Sequence, residues 1–283
     1  MNYHTAKWSE VVQHEFGFDW NIPYNTPLPH PLPMPDAVVE STVQIETESG
    51  HLNCAVWSPK GEPMQRPLVL LGHGGTGHKK SPYLVWFAMR LVTDHNFVAA
   101  AIDHLPQHGD RGGTSDIRSS VDWKGASATF DEAIDSIVKD WQATIRTLVK
   151  RIEVDETKIG YWGHSGGTLM GIPLLAKTPG VSAAALGKWG IEGTEELKEI
   201  FRDEFPEVVN RHKRDASQLS CAIHYSINMD DNLFTQSGQI DLFNRLGSSR
   251  KVLWGEPGDH GAESYNSIAY QLQFLGDTLT DNP

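Results

Sequence analysis

The chain has 283 residues, 39% of them hydrophobic and 21% charged, a balance that excludes disorder and fibrous architectures and suits one large folded core. Its 36 Asp and Glu against 24 Lys and Arg give a formal charge of -12, which repels the phosphates of nucleic acid and anionic lipid heads, so neither is an expected partner. No stretch approaches the roughly 20 apolar residues that cross a bilayer, and the N-terminal residues lack the apolar run of a signal peptide; the expectation is a soluble cytoplasmic protein.

In chain order, residues 1–37 read as an N-terminal arm. Pro23, Pro27, Pro29, Pro31, Pro33 and Pro35 remove backbone donors and fix φ, which excludes helix and central strand. A strap across its own domain is preferred to one across a neighbouring subunit, and a homo-oligomer is left open. Residues 38–283 then read as one catalytic domain. Residues 38–46 and 52–57 alternate apolar and polar as half-buried strands do, and suggest an antiparallel entry hairpin.

Six further runs, 67–71, 97–102, 158–162, 181–186, 221–227 and 250–254, are nearly continuous in apolar residues, as parallel strands buried on both faces are. Helical segments are expected at about 81–93, 129–151, 166–177, 236–246 and 262–279, each long enough for a right-handed crossover. The fold class is therefore α/β, a doubly wound and mostly parallel sheet. Two connections exceed a simple crossover: 103–128, and 188–220, where residues 195–205 read as an inserted helix of a small cap-like insertion. Both follow a strand and emerge at the carboxyl edge of the sheet, where ligands bind in such folds. Cys54 and Cys221 each fall in a strand, and two buried thiols are preferred to a disulfide.

Gly163-His164-Ser165-Gly166-Gly167 stands between a strand and a helix, the setting of a G-x-S-x-G nucleophile elbow. Such a turn forces the serine into a strained conformation and needs small residues two positions before and two after it, where backbones approach closely. Upstream, Leu71-Gly72-His73-Gly74-Gly75-Thr76-Gly77 follows the strand 67–71 and brings backbone N–H groups beside the elbow. Gly75 and Gly166 are the expected oxyanion donors. A phosphate cradle would require the Gly-Lys-Ser/Thr of a P-loop, which the loop lacks.

A general base must reach Ser165 from the same sheet edge, late in the chain. His260, in Gly255-Glu256-Pro257-Gly258-Asp259-His260-Gly261 after the last strand, meets both demands. His164 on the elbow points away, and His73 is expected to hold the oxyanion loop by hydrogen bonds. Because a base must be neutral to take the serine proton, activity is expected to fall as the solution is acidified through the ordinary histidine range. The acid follows the preceding strand, where Asp230 and Asp231 both stand; Asp231 is preferred, and Asp230 remains its alternative.

These four motifs together, the HGG loop, the G-H-S-G-G elbow, the D-x-L-F turn and the P-G-D-H-G loop, resemble the α/β-hydrolase superfamily over roughly residues 38–280. Ile102-Asp103-His104-Leu105-Pro106-Gln107-His108-Gly109-Asp110-Arg111 further resembles dienelactone-hydrolase-like and prolyl-oligopeptidase-like serine esterases. The resemblance implies an acyl-serine that water resolves, a small-molecule ester as substrate, and no cofactor. Dienelactone hydrolases proper carry cysteine at the elbow where this chain has Ser165, which weighs against a dienelactone substrate. A peptidase or an acyltransferase with the same triad is the alternative, and a hydrolase-fold binding protein without catalysis the more distant one.

His104 and His108 are read as loop-packing residues, because Pro106 breaks the helix that would align them on a metal; no metal is expected. Asp110 and Arg111 are read as a loop-fixing ion pair. Trp123, Trp189 and Met229 are expected to form apolar pocket walls.

Overall fold

The computed structural model describes residues 34–48, 50–75, 77–104, 109–111, 129–151, 153–201 and 204–280. β1 (Val38–Thr47) and β2 (Gly50–Pro59) form an antiparallel hairpin, with Val38 opposite Pro59 and Thr47 opposite Gly50. β2 then joins the main sheet antiparallel to β4 (Val98–Ala101). The remaining strands, β3 (Arg66–Gly72), β5 (Val154–His164), β6 (Val181–Gly187), β7 (Ala222–Asn228) and β8 (Lys251–Glu256), run parallel with β4 in the order β1-β2-β4-β3-β5-β6-β7-β8. Chain order reverses around β3, so a crevice opens at the carboxyl ends of the central strands, where Gly72 pairs with Gly163 and His164 with Gly187.

Helices cover both faces. α1 (Pro82–His95) and α7 (Tyr265–Thr280) pack on one side over Val69, Leu71, Ala99 and Trp162. α2 (Phe130–Leu148), α3 (Gly166–Ala176), α5 (Phe205–Ala216) and α6 (Gln236–Arg245) pack on the other over Leu68, Leu70, Tyr161 and Tyr225. Alternate residues of one strand thus enter two different cores, which is why these runs are apolar throughout rather than every second residue. α2 starts on a capping box, Thr129 accepting from the Glu132 N–H and Glu132 from that of Thr129.

Two details depart from the sequence reading. The inserted helix expected over 195–205 ends earlier, as α4 (Glu195–Phe201), and a second, longer helix follows as α5. Pro206, in the first turn of α5, explains the division: proline suits a helix start and removes the donor that continuing α4 would need. Arg211 anchors α5 to α2 through Asp131 at 3.1 Å and Asp135 at 2.7 Å. The final helix begins at Tyr265 rather than 262, because Glu263 and the Ser264 N–H face buried partners described below. The proline-rich arm lies outside the described residues as far as position 33. Cys54 and Cys221 are free, buried thiols, and burial pushes each up to about 12. No described helix is long and apolar enough to cross a membrane.

Two buried imidazoles make the fold pH-sensitive. His212 on α5 accepts from Trp189 Nε1 at 2.9 Å and donates to the Leu169 carbonyl at 3.0 Å, while His224 on β7 lies against Tyr270 and Phe274. Burial, the dominant cause, lowers both to about 4. The unfolded chain binds protons at these rings below about pH 6.5 and the folded chain does not until about pH 4, so their contribution is complete above the first value and lost on descent to the second. By pH 5 this amounts to roughly 2 kcal/mol per ring. Thermal unfolding should therefore show Tm falling by several degrees between about pH 7 and 5, above most of the carboxylate range. A flat profile would contradict the burial of neutral rings.

Candidate active site

Ser165 stands between β5 and α3 with φ 53 and ψ -118, a left-handed φ that a non-glycine residue adopts only when its surroundings impose it. The surroundings are explicit. A Cβ on Gly163 would lie 2.9 Å from the Gly167 carbonyl, and one on Gly167 would lie 2.4 Å from the Gly72 oxygen. These glycines let β5, α3 and the end of β3 touch backbone to backbone. Thr168 Oγ1 closes the turn, donating toward the Gly163 and Gly187 carbonyls and accepting from the Gly187 N–H at 2.9 Å, and the Tyr161 hydroxyl donates to the Gly167 oxygen at 2.6 Å. Neither Thr168 nor Tyr161 was singled out from the sequence, where one is an ordinary helix residue and the other an ordinary strand aromatic.

The structure brings Ser165, His260 and Asp231 into one hydrogen-bonded line. His260 Nε2 lies 2.8 Å from Ser165 Oγ, and His260 Nδ1 lies 2.9 and 3.1 Å from the two oxygens of Asp231. Asp231 follows β7, and its side chain is fully buried. Asp231 Oδ1 also accepts from the Leu233 and Phe234 N–H groups at 2.8 and 3.0 Å, which fixes its orientation. Asp230 faces elsewhere: it is exposed, and its Oδ2 accepts from the Gly258 N–H at 3.1 Å, while its own N–H donates to the Gly258 carbonyl. A carboxylate on Nδ1 places the ring proton there and leaves Nε2 as an acceptor for the serine proton.

Gly166 opens α3, so its N–H has no partner within the helix. A Cβ at Gly166 would lie 2.5 Å from the Gly75 nitrogen, so the two expected donors are close neighbours. The Gly72–Gly77 loop is held from behind. The buried His73 ring donates through Nδ1 to the Gly74 carbonyl at 2.7 Å and accepts from the His104 N–H at Nε2 at 3.1 Å, and the Gly74 N–H donates to Tyr83 Oη at 2.6 Å. His73 thus has the loop-holding contacts expected of it.

His104 stacks on His73 with ring centroids 4.1 Å apart, and His108 lies outside the described residues. Among the described residues no group of three or more His, Cys, Asp or Glu is arranged for a metal. Arg111 pairs with Asp140 of α2 at 2.5 Å and donates to the His104 carbonyl at 3.0 Å, which fixes this loop to α2; the side chain of Asp110 lies outside the described residues. Asp103 accepts from Lys79 twice, at the backbone and at Nζ, in a buried pair that ties this loop to the one after β3.

Of the expected pocket walls, Trp189 and Met229 are among the described residues. Trp189 is core: it is 2% exposed, its Nε1 is bonded to His212, and its ring packs on Phe201 and Phe234. It follows Lys188 just after β6 and packs against Phe201 of α4 and His212 of α5. Phe234, not singled out from the sequence, is the aromatic that meets His260, 5.8 Å between ring centroids. Met229 is 42% exposed, with its Sδ accepting from Gln236 Nε2 and its methyl over Gly255 of β8. That contact is with the surface of β8, not with Ser165. Trp123 lies outside the described residues.

No protein-family model and no curated protein matches the chain. Solved structures do. A PEG-bound cold-adapted esterase from an Arctic intertidal metagenomic library is 28% identical, with a TM-score of 0.70 over 87% of this chain and 96% of that one. A putative dienelactone hydrolase from Klebsiella pneumoniae, 13% identical with a TM-score of 0.68 over 87% and 100%, shares the fold. So does a puromycin-hydrolysing peptidase from Mycobacterium tuberculosis, 16% identical with a TM-score of 0.67, of whose own length this chain spans 41%.

Proposed function

We propose that this chain, an α/β-hydrolase by fold, is a serine hydrolase that cleaves carboxylic esters through an acyl-serine intermediate, with Ser165 as nucleophile, His260 as general base and Asp231 as the orienting acid. The single observation that carries the reading is the line Asp231–His260–Ser165, both links within 2.9 Å, ending on a serine held at φ 53 at the carboxyl edge of the sheet. The likeness to the Arctic esterase supports an ester as the substrate.

In the first step His260 Nε2 takes the hydroxyl proton as Ser165 Oγ bonds to the acyl carbon, and the carbonyl π electrons move onto oxygen. The Gly75 and Gly166 N–H groups stabilise that oxyanion, at about 3 to 4 kcal/mol of barrier for a well-placed donor. Collapse breaks the bond to the leaving alkoxide, which receives the proton from the imidazolium. Water then gives a proton to His260 and attacks the acyl-serine, and the acid product leaves with Ser165 reprotonated. Asp231 stays ionised throughout and stabilises the imidazolium through Nδ1.

A fluorophosphonate probe should label the chain once, with the mass added at Ser165, and labelling should stop hydrolysis of p-nitrophenyl acetate. Labelling at another residue, or none on a folded and soluble chain, would overturn the assignment. The p-nitrophenyl series with increasing acyl length would then define the acyl site. Added alcohols and amines as acceptors, with product analysis, separate hydrolysis from acyl transfer.

A further inference from the structure

We propose that Lys188 and Glu263 are positioning residues, a buried ion pair that holds the loop bearing His260 at its working distance from Ser165; the proposal rests on the triad assigned above. In the loop between β8 and α7, Asp259 and Gly261 are exposed and His260 is half-buried between them, and the chain then turns inward, with Ala262, Glu263 and Ser264 buried. Glu263 is fully buried and meets three groups from three elements. Lys188 Nζ lies 2.6 Å from Oε2, Gln271 Nε2 of α7 donates to Oε1 at 3.0 Å, and His164 Nδ1 lies 3.3 Å from Oε2. Lys188 Nζ also donates to the Ala262 carbonyl at 2.5 Å.

His164 immediately precedes the nucleophile, and Ala262 and Glu263 stand two and three residues after the base. One carboxylate and one ammonium therefore join the elbow and the histidine loop, whose relative placement decides whether Nε2 meets Oγ. Lys188 is fixed to the sheet in turn: its N–H donates to the Ser226 carbonyl of β7 at 2.9 Å, and its φ of 52 is one of three left-handed values at described non-glycine residues, Ser165 being another. Asn228, at the end of β7, donates to the Asp259 and Ala262 carbonyls at 2.5 and 2.9 Å, and Glu256 of β8 accepts from the Ser264 N–H at 3.3 Å. The loop is thus gripped from beneath by the ends of β6, β7 and β8.

A buried ion pair is a poor device for stability, since an apolar pair of similar volume is often as stable or more so. What it supplies is direction: a carboxylate and an ammonium accept few partners and only in defined geometry. The titratable groups facing Glu263 are Lys188, His164, Glu256 and, across β7, His224. Although burial alone would raise Glu263, Lys188 and then His164 hold it below the usual carboxylate range, whereas burial and the Glu263 charge push Glu256 up.

The test compares Lys188→Met, Glu263→Gln and the double variant Lys188→Met/Glu263→Leu. Each single variant should lose about 10- to 100-fold in kcat with KM within about threefold, the loss expected when a catalytic group is displaced by a fraction of an ångström to an ångström. In the double variant the charges are gone and the pocket is apolar, so Tm should return to near the wild-type value while kcat stays at least tenfold down. A double variant with wild-type kcat would overturn the proposal, as would single variants with reduced Tm and unchanged kcat. If the single variants do not fold, the double variant decides alone. Ser165→Ala keeps the two readings apart. Activity surviving that change defeats the triad itself, whereas an inactive Ser165→Ala beside a fully active double variant defeats only the positioning role.

Discussion

Ser165→Ala is expected to lower kcat for a p-nitrophenyl ester by at least about 10⁴-fold while Tm moves by no more than a few degrees. The first part follows from covalent catalysis: without Oγ no acyl-enzyme forms, and only the residual contribution of binding and oxyanion donors remains. The second follows from the local structure. Ser165 Oγ is bonded to His260 Nε2, not to the scaffold, while the elbow is held by the Gly163–Gly167 approach, the Thr168 hydroxyl and the Ser165 N–H on the Gly187 carbonyl at 3.0 Å. Removing one oxygen from that turn leaves every one of those contacts in place. Activity above about a tenth of wild type, with the variant purified free of contaminating esterase, would remove Ser165 from the mechanism.

Asp231→Asn is expected to cost on the order of 10⁴-fold in kcat, and Asp230→Asn less than about threefold. The asymmetry comes from what each carboxylate touches. Asp231 Oδ1 accepts two backbone N–H groups, from Leu233 and Phe234, so in Asp231→Asn the amide oxygen takes that place and the amide NH₂ turns to His260 Nδ1. An NH₂ donor there requires Nδ1 to be the acceptor, which moves the ring proton to Nε2, facing Ser165 Oγ, where it can no longer take the serine proton. Among the described residues Asp230 accepts from the Gly258 N–H, a contact that an asparagine oxygen can keep. Steady-state kinetics on both purified variants decide the matter. Equal effects, or the reverse ranking, would show that the orienting acid is not Asp231.

The doubled aspartate shows where sequence reading reaches its limit. Two adjacent carboxylates after β7 were both legible as candidates, and the apolar pair Leu233-Phe234 favoured Asp231. What separates them is the direction of a turn closed by backbone contacts, the Asp231 oxygen on two N–H groups and Asp230 on the distant Gly258. Pocket walls were less legible still. Trp189 reads as a wall because it follows a strand at the binding edge, yet the His212 ring and Phe234 draw it into the core. Lys188 and Glu263 carried no signal at all: one lysine after a strand and one glutamate before a helix are ordinary surface residues in a linear text.

From the sequence alone came the properties that depend on local periodicity and on turn chemistry. Apolar runs separated by crossover-length helices determined a parallel sheet, because a strand buried on two faces has no polar side to display. The glycines around Ser165 determined the elbow, because no other residue permits backbones at that separation. The order of serine, acid and histidine along those strands named Ser165 and His260 and narrowed the acid to Asp230 or Asp231. Tertiary structure decided everything that turns on direction over long chain separations: which aspartate reaches His260, that α4 and α5 divide the inserted segment, and that His164 and the His260 loop, about a hundred positions apart, meet on a single buried carboxylate. The physical reason is the same in each case. Propensity and spacing act within a few residues, whereas the partner of a buried charge is set by which elements pack together, and that is a property of the whole fold.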